Sequence, residues 1–313
     1  MNKALFIADL HIKLGQRNVP RDWQGERFMQ LARELNEVDA DYIIIAGDLL
    51  DVAKPSVDEI GLMYNFLNLL EGEKILIPGN HEMTTKKKDC YIPIEHMLSH
   101  LGCSVIREFT THRGFDYIPY NILHNKWPEP QSKLAVTHVR GEIPPHVEPE
   151  IDLRKYEKYE KVFAGDLHSY KNTQKNIYYP GSPFTTSFHR TEASGSNGYF
   201  IIDSDSGEHV WHELHLPQLL RRTVTDPEEM VATYPNHTIY ELEGELDDLA
   251  KVGKLELLDK KITKNVENVA TLNLNGKIED ELAVYLEEVK ELTKQSVTRL
   301  VSRFKEVHTH DSD

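Results

Sequence analysis

Covalent cross-links and membrane anchors are nearly absent from this sequence. Among 313 residues there are two cysteines, Cys90 and Cys103, without the spacing of a metal finger or a disulfide framework. Both read as reduced, structural thiols of a reducing compartment. No apolar run approaches the roughly 20 residues needed to span a bilayer. The opening segment, MNKALFIADLHI, lacks the longer apolar core and small-residue cleavage site of a secretory signal and runs straight into a strand pattern. The expectation is a soluble, cytoplasmic protein with no membrane partner.

Basic charge is scarce as well. Lys and Arg number 36 against 51 Asp and Glu, a formal net charge of −15. Phosphate backbones are held mainly by Lys and Arg, so this balance argues against tight, unaided binding of nucleic acid. It leaves phosphate chemistry open, because metal ligands are themselves acidic and a bound cation inverts the local field. What is present suffices for a globular protein. Apolar residues make up 39% and charged residues 28%, enough for a sizeable core in one large domain with a smaller one.

The first part of the chain alternates strand and helix patterns. Leu5 to Ala8 and Tyr42 to Ala46 read as buried strands, and Lys74 to Ile77 as a third. Helices are expected over Asp22 to Val38, where Phe28, Leu31, Ala32 and Leu35 fall at helical spacing, and over Ser56 to Leu70, where Ser56 and Glu59 form a capping box. A further helix is expected near Ile92 to Leu101. Short strands then dominate: Ser104 to Arg107, Phe115 to Ile118, Leu134 to Thr137, Lys161 to Ala164, Ile177 to Tyr179, Tyr199 to Asp203 and Val210 to Leu214. The mixture is α/β and suggests two sheets packed face to face with helices outside. A boundary is expected near Pro217. Beyond it, Asp226-Pro227-Glu228-Glu229 has the form of a helix start, and His237 to Glu243 and Val269 to Leu274 alternate like strands, giving a small α/β module over 217–276. The stretch Glu279 to Val307 has the apolar stripe of an amphipathic helix, with a break near Thr293 to Ser296. Residues 308–313 read as a disordered tail.

Five short motifs put Asp, Asn or His directly after an expected strand. They are Asp9-Leu10-His11; Gly47-Asp48-Leu49-Leu50-Asp51; Gly79-Asn80-His81-Glu82; Thr137-His138; and Gly165-Asp166-Leu167-His168. In extended chain, residues two apart point to one side, so carboxylate and imidazole in D-x-H can grip one ion. Asp48 has two oxygens and can bridge two ions, Asn80 offers a neutral carbonyl oxygen, and His81 would project differently, toward whatever the ions hold. Any one motif is weak, since a strand-end Asp often caps a turn and a lone His is usually a satisfied surface or core residue. Five in one chain, without Cys, suit Mn²⁺, Fe²⁺, Zn²⁺ or Mg²⁺.

This series resembles that of the calcineurin-like metallophosphoesterases: D-x-H, G-D-x-x-D, G-N-H-[DE], a lone H and G-H-x-H, four of the five intact. Tyr179-Pro180-Gly181-Ser182-Pro183 with Ser187-Phe188 is similar to the segment after the final motif in SbcD-type nuclease subunits of double-strand-break repair, over about residues 1–215. The resemblance implies a four-layer sandwich, two mixed β-sheets flanked by helices, with a small α/β cap domain and C-terminal helices. It divides the chain into a nuclease domain at 1–216, a cap or DNA-binding domain at 217–276 and a partner-binding helical segment at 277–307. It implies that Asp9, His11, Asp48 and His168 hold one divalent ion, Mn²⁺ or else Mg²⁺. Asp48, Asn80, His138 and Asp166 would hold the other, and His81 would act as the non-ligand acid. The departure is Asp166, where the family usually has His; a carboxylate there adds charge and a harder oxygen.

By the same resemblance the activity would be phosphodiester hydrolysis of DNA, exonucleolytic on duplex ends and endonucleolytic on single strands, in recombination, repair or replication. The partner would be an SbcC-type coiled-coil ATPase, with the nuclease as a homodimer inside a heterotetramer. The short length suits a bacteriophage version, at work in an infected bacterial cell. Candidate DNA contacts flank the motifs: Arg17, Arg21, Lys86, Lys87, Lys88, Arg140, His189 and Arg190. Two rivals share the metal core, a phosphoesterase for small molecules or phosphoproteins and a scaffold that has lost catalysis.

Overall fold

The computed structural model describes residues 2–264, 277–290 and 292–308. Strand β1 (Lys3–Ile7) leads through α1 (Arg21–Asn36), β2 (Tyr42–Ala46) and α2 (Val57–Leu69) to β3 (Glu73–Ile77). A small hairpin, β4 (Met83–Thr85) and β5 (Lys88–Asp89), and helix α3 (Glu95–His100) precede β6 (Cys103–Val105). There follow β7 (Thr110–His112), β8 (Phe115–Ile118), β9 (Leu134–His138), β10 (Lys161–Gly165), β11 (Ile177–Tyr178), β12 (Gly198–Asp203) and β13 (His209–Glu213). The six-stranded sheet has the order β13-β12-β1-β2-β3-β6, and the five-stranded sheet β11-β10-β9-β8-β7. Both are mixed: β1, β2, β3 and β6 run parallel with β12 antiparallel to β1, while β8 to β11 run parallel with β7 antiparallel.

The period-two geometry of a strand explains why these runs are almost wholly apolar. Leu5, Ile7, Ile43 and Ile45 face α1 and α2 and pack on Phe28, Leu31, Leu35, Met63 and Phe66. The alternate residues, Phe6 and Ile44, turn to the other sheet and, beside Phe200 of their own sheet, meet Tyr117, Val136 and Phe163. A strand covered on both faces needs no polar alternation. The outer face of the second sheet is covered by Tyr156, Tyr159 and Tyr179. There the expected fourth layer is a 3-10 helix, Leu153–Lys158, with loops rather than an α-helix. The capping box at Ser56 is present, and Glu59 also accepts from Leu14 N at 2.9 Å, which ties α2 to the loop after β1.

Strands β14 (Leu219–Val224), β15 (His237–Gly244) and β16 (Leu258–Thr263) form a third sheet. The chain's contacts group it into 1–242 with 252–261, and 243–251 with 262–313. The physical reason lies in the bonds of β14. Leu219 N donates to Thr185 Oγ1 at 2.7 Å, and Leu219 and Arg221 pair through their backbones with His189, so the small sheet is sewn into the first unit. The helix expected at Asp226 is a single 3-10 turn, Pro227–Glu229; no apolar stripe follows it, and Pro235 interrupts the chain soon after. The second unit carries α4 (Leu246–Lys251), α5 (Ile278–Val284) with a π turn at Tyr285–Val289, and α6 (Lys294–His308). The expected strand Val269 to Leu274 and nearly all of the tail at 308–313 lie outside the described residues. Among the described residues no helix is long and apolar enough to cross a membrane.

Candidate metal centre

Parallel strands align their C-terminal ends, and open α/β sheets place sites there. The loops after β1, β2 and β3 meet the end of β9 and the loop after β10. They bring Asp9, His11, Asp48, Asn80, His81, His138, Asp166 and His168 to one place. The backbone is locked at several steps. Asp9 N donates to Gly47 O (3.1 Å), His11 N to Asp48 O (2.8 Å) and Ile12 N to Leu49 O (2.9 Å). Asp166 N donates to both carboxylate oxygens of Asp9, at 3.0 and 3.1 Å. Ser182 Oγ holds Asp9 O at 2.7 Å.

Extended chain is not what aims Asp9 and His11 together. Asp9, His11, Asp48 and Asp166 have φ of 58°, 48°, 51° and 99°, conformations that cost side-chain-bearing residues of order 1–3 kcal/mol each and concentrate at functional sites. Each kink turns a side chain inward that a straight strand would send elsewhere. Glycine is required beside them. A Cβ on Gly79 would lie 2.2 Å from Asp48 Oδ1, and one on Gly47 would lie 2.3 Å from His138 Nδ1.

Asp48 is the hub. Its Oδ1 accepts from His81 N at 3.0 Å. Its Oδ2 lies 3.4 Å from His138 Nε2, 3.6 Å from His11 Nε2 and 3.9 Å from His81 Nε2. On one side His11 and His168 set their Nε2 atoms 3.0 Å apart. On the other, His138 Nε2 lies 2.9 Å from Asn80 Oδ1 and 3.9 Å from Asp166 Oδ1. The Nδ1–H of His138 donates to Ala46 O at 2.8 Å, which turns the Nε2 lone pair toward the cluster, the arrangement expected of a ligating imidazole.

Two residues of these motifs have roles that sequence reasoning left unassigned. Glu82 is fully buried and accepts from Asp48 N (3.0 Å), Leu50 N (2.8 Å) and Gly79 N (2.8 Å), binding two loops together. Asp51 sets a carboxylate oxygen 3.3 Å from His11 Nδ1 and the other 2.6 Å from Lys13 Nζ. The backbone carbonyl of Asp51 accepts from His81 Nδ1 at 2.5 Å. The signal for both was their place at the last position of G-D-x-x-D and G-N-H-E.

The electrostatics of this cluster are those of a cation site. Burial pushes the carboxyl of Asp9 up to about 7, with Asp48 adding to the rise. Burial opposes the charge on Asp48 too, yet His138, His11 and His81 hold its carboxyl well below the ordinary range. Burial also opposes a charge on His138, but Asp48, Asp9 and Asp166 raise it well above its usual value. His168 is lowered to about 4 by the burial of its inner edge and by His11; it presents a lone pair at neutral pH. Asp9, His11, Asp48 and His138 are buried, His81 is half-buried and His168 is exposed, and the triads Asp9/His11/His168, His11/Asp48/His81 and Asp9/Asp48/His138 each keep their ligand atoms within 4.8 Å of one another. Divalent cations fit this oxygen and nitrogen set, and their uptake would displace protons from Asp9 and His138.

The expected DNA contacts scatter around the centre. Arg140 Nε bonds Asp166 Oδ2 at 3.2 Å, at the site itself. Lys86, Lys87 and Lys88 are exposed in the β4–β5 hairpin just past His81, and Arg17 is exposed in the loop after β1. Arg21 is paired with Asp58 at 2.6 Å. Arg190 is paired with the buried Glu241 at 2.7 Å, and His189 lies in the backbone bridge to β14.

The family profile for calcineurin-like phosphoesterases matches residues 3–200. The chain is 44% identical to "Probable exonuclease subunit 1" of Escherichia phage T5, over 96% of this chain and 97% of that protein. It is 27% identical to "DNA double-strand break repair protein Mre11" of Methanopyrus kandleri, over 67% of this chain and 56% of that one. A solved structure, nuclease MPE of Pseudomonas putida, superposes with a TM-score of 0.33 at 19% identity, covering 63% of this chain and 84% of the other.

Proposed function

Given that this chain belongs to the calcineurin-like phosphoesterase family, we propose that it is a metal-dependent DNA nuclease. It hydrolyses phosphodiester bonds exonucleolytically on duplex ends and endonucleolytically on single strands. The observation that carries this reading is the set of seven oxygen and nitrogen donors gathered around Asp48 Oδ2, with His81 beside them. The ligand set proposed is Asp9, His11, Asp48 and His168 for one ion, and Asp48, Asn80, His138 and Asp166 for the other, with Mn²⁺ or Mg²⁺ the ions suited to it. Bound ions would supply Lewis-acid polarisation of the phosphate and a water of lowered pKa.

The chain's own residues do the rest. Asp48 lies between the two halves and is common to both. His81 gives its Nδ1–H to Asp51 O, which fixes the ring and turns Nε2 toward the cluster. With its side chain 37% exposed, it can meet the substrate and protonate the departing ester oxygen. The similarity to a protein called an exonuclease subunit supports a DNA substrate and an assembly of more than one kind of chain. We propose an SbcC-type coiled-coil ATPase as partner, two copies of each, docking on the C-terminal helices, where α6 leaves Leu300 41% exposed. DNA would be led to the centre by Arg17, Lys86, Lys87, Lys88 and Arg140. A partner's positive surface would offset this chain's own negative charge.

The test is degradation of linear duplex DNA with Mn²⁺, with EDTA as control and a cyclic nucleotide as rival substrate. His81→Ala is expected to lower the rate by roughly 10²–10⁴-fold while Mn²⁺ binding stays as in the wild type. Hydrolysis of the cyclic nucleotide alone would sink the nuclease reading.

A further inference from the structure

Asp166 brings a third carboxylate to the cluster, after Asp9 and Asp48, and it does not come alone. Its side chain is 6% exposed, with Oδ1 3.9 Å from His138 Nε2 and Oδ2 3.2 Å from Arg140 Nε. The two oxygens therefore face different partners. Oδ1 turns toward the half of the centre that holds His138 and Asn80, and Oδ2 turns toward a guanidinium whose side chain is 46% exposed. Both residues sit on rigid supports. Arg140 comes two residues after the end of β9, and Asp166 directly after β10, two neighbouring parallel strands whose last residues, His138 and Gly165, are paired in register. Asp166 is further fixed by its backbone bonds to Asp9 and its φ of 99°.

We propose that Arg140 and Asp166 work as one unit that sets the strength of the second metal site. Asp166 gives one oxygen to the ion, and Arg140 holds the other oxygen and cancels the added negative charge. The pair together presents the net charge of a single neutral donor, while the contact made is that of a hard carboxylate oxygen. Arg140 is in this sense a tuning residue, since it acts on the ion through Asp166. The proposal rests on the metal-binding part of the function given above and is independent of DNA being the substrate.

The experiment is calorimetric titration of Mn²⁺ into metal-free full-length protein, for the wild type, Arg140→Ala, Asp166→His and the double variant. Arg140→Ala removes a positive charge beside the ion and is expected to tighten the second ion, on the order of tenfold at moderate salt. Asp166→His keeps a donor but leaves Arg140 uncancelled, and is expected to weaken the second ion by a similar factor. The double variant restores the charge balance and is expected to lie within about threefold of the wild type. The first ion serves as the internal control for folding and keeps its affinity in all four proteins. Arg140→Ala binding the second ion unchanged or more weakly overturns the proposal, as does a double variant that merely matches Asp166→His. Two ions bound with the expected pattern, in a protein that leaves DNA intact, would uphold the pair and sink the nuclease.

Discussion

On one side of Asp48 stand two imidazoles, His11 and His168, with their nitrogens 3.0 Å apart. On the other stand an amide, one imidazole and a carboxylate, with Arg140 bonded to the carboxylate at 3.2 Å. The first half is steadied from behind by Asp51, whose oxygen lies 3.3 Å from His11 Nδ1. The second is steadied by a backbone carbonyl, Ala46 O, at 2.8 Å from His138 Nδ1. A carboxylate behind an imidazole raises its basicity as well as orienting it, whereas a carbonyl chiefly orients it. The comparison sets a half with a charged support behind one imidazole against a half with a charged pair at its rim.

Removing what the halves share should have the largest effect. Asp48→Ala is expected to abolish binding of both Mn²⁺ ions and to lower hydrolysis on the order of a thousandfold or more, since a two-ion clamp loses its common ligand. Retention of one tightly bound ion would show that Asp48 serves a single half. The next effect separates them. Asp51→Asn keeps the shape and the backbone carbonyl that holds His81, but removes the charge behind His11. Affinity for the first ion is expected to fall about 10–100-fold with the second changed far less, read by the same titration. Equal losses at both ions would break the comparison.

Much of this was legible in the residues. The five loop motifs named the side chains that the fold gathers around Asp48, and the rhythm of strand and helix placed them at strand ends, because strands covered on both faces are written as unbroken apolar runs such as Tyr42 to Ala46. What was not legible depended on residues distant in sequence. Asp9 and His11 converge through left-handed backbone rather than extended chain, a conformation imposed by the bonds from Gly47, Asp48 and Asp166. Glu82 reads locally as one more acidic residue; its role appears only when three N–H groups from two loops close on it. Arg190 reads as a phosphate contact, but β15 brings the buried Glu241 to it. For a similar reason composition cannot show that, just past Pro217, β14 bonds back to Thr185 and His189.

Acid should have the smallest effect, in a direction fixed by the groups that carry protons. Loading an ion requires His138 neutral and Asp9 ionised. His138 is raised well above its usual value because, against the effect of burial, Asp48, Asp9 and Asp166 surround it. Asp9 is raised to about 7 by burial, and His168, at about 4, needs no deprotonation near neutrality. As pH falls, Asp9 takes its proton near 7, and His138 and His11, both raised, against the effect of burial, above their usual values by the surrounding carboxylates, hold theirs as well. Both ions are therefore expected to weaken as pH falls, by about tenfold per pH unit for each proton displaced. Titrations at pH 8, 7 and 6, in buffers of different ionisation enthalpy, would count the protons released. Affinities unchanged between pH 8 and pH 6, with no proton released, would show that His138, His11 and Asp9 carry no proton for an ion to displace.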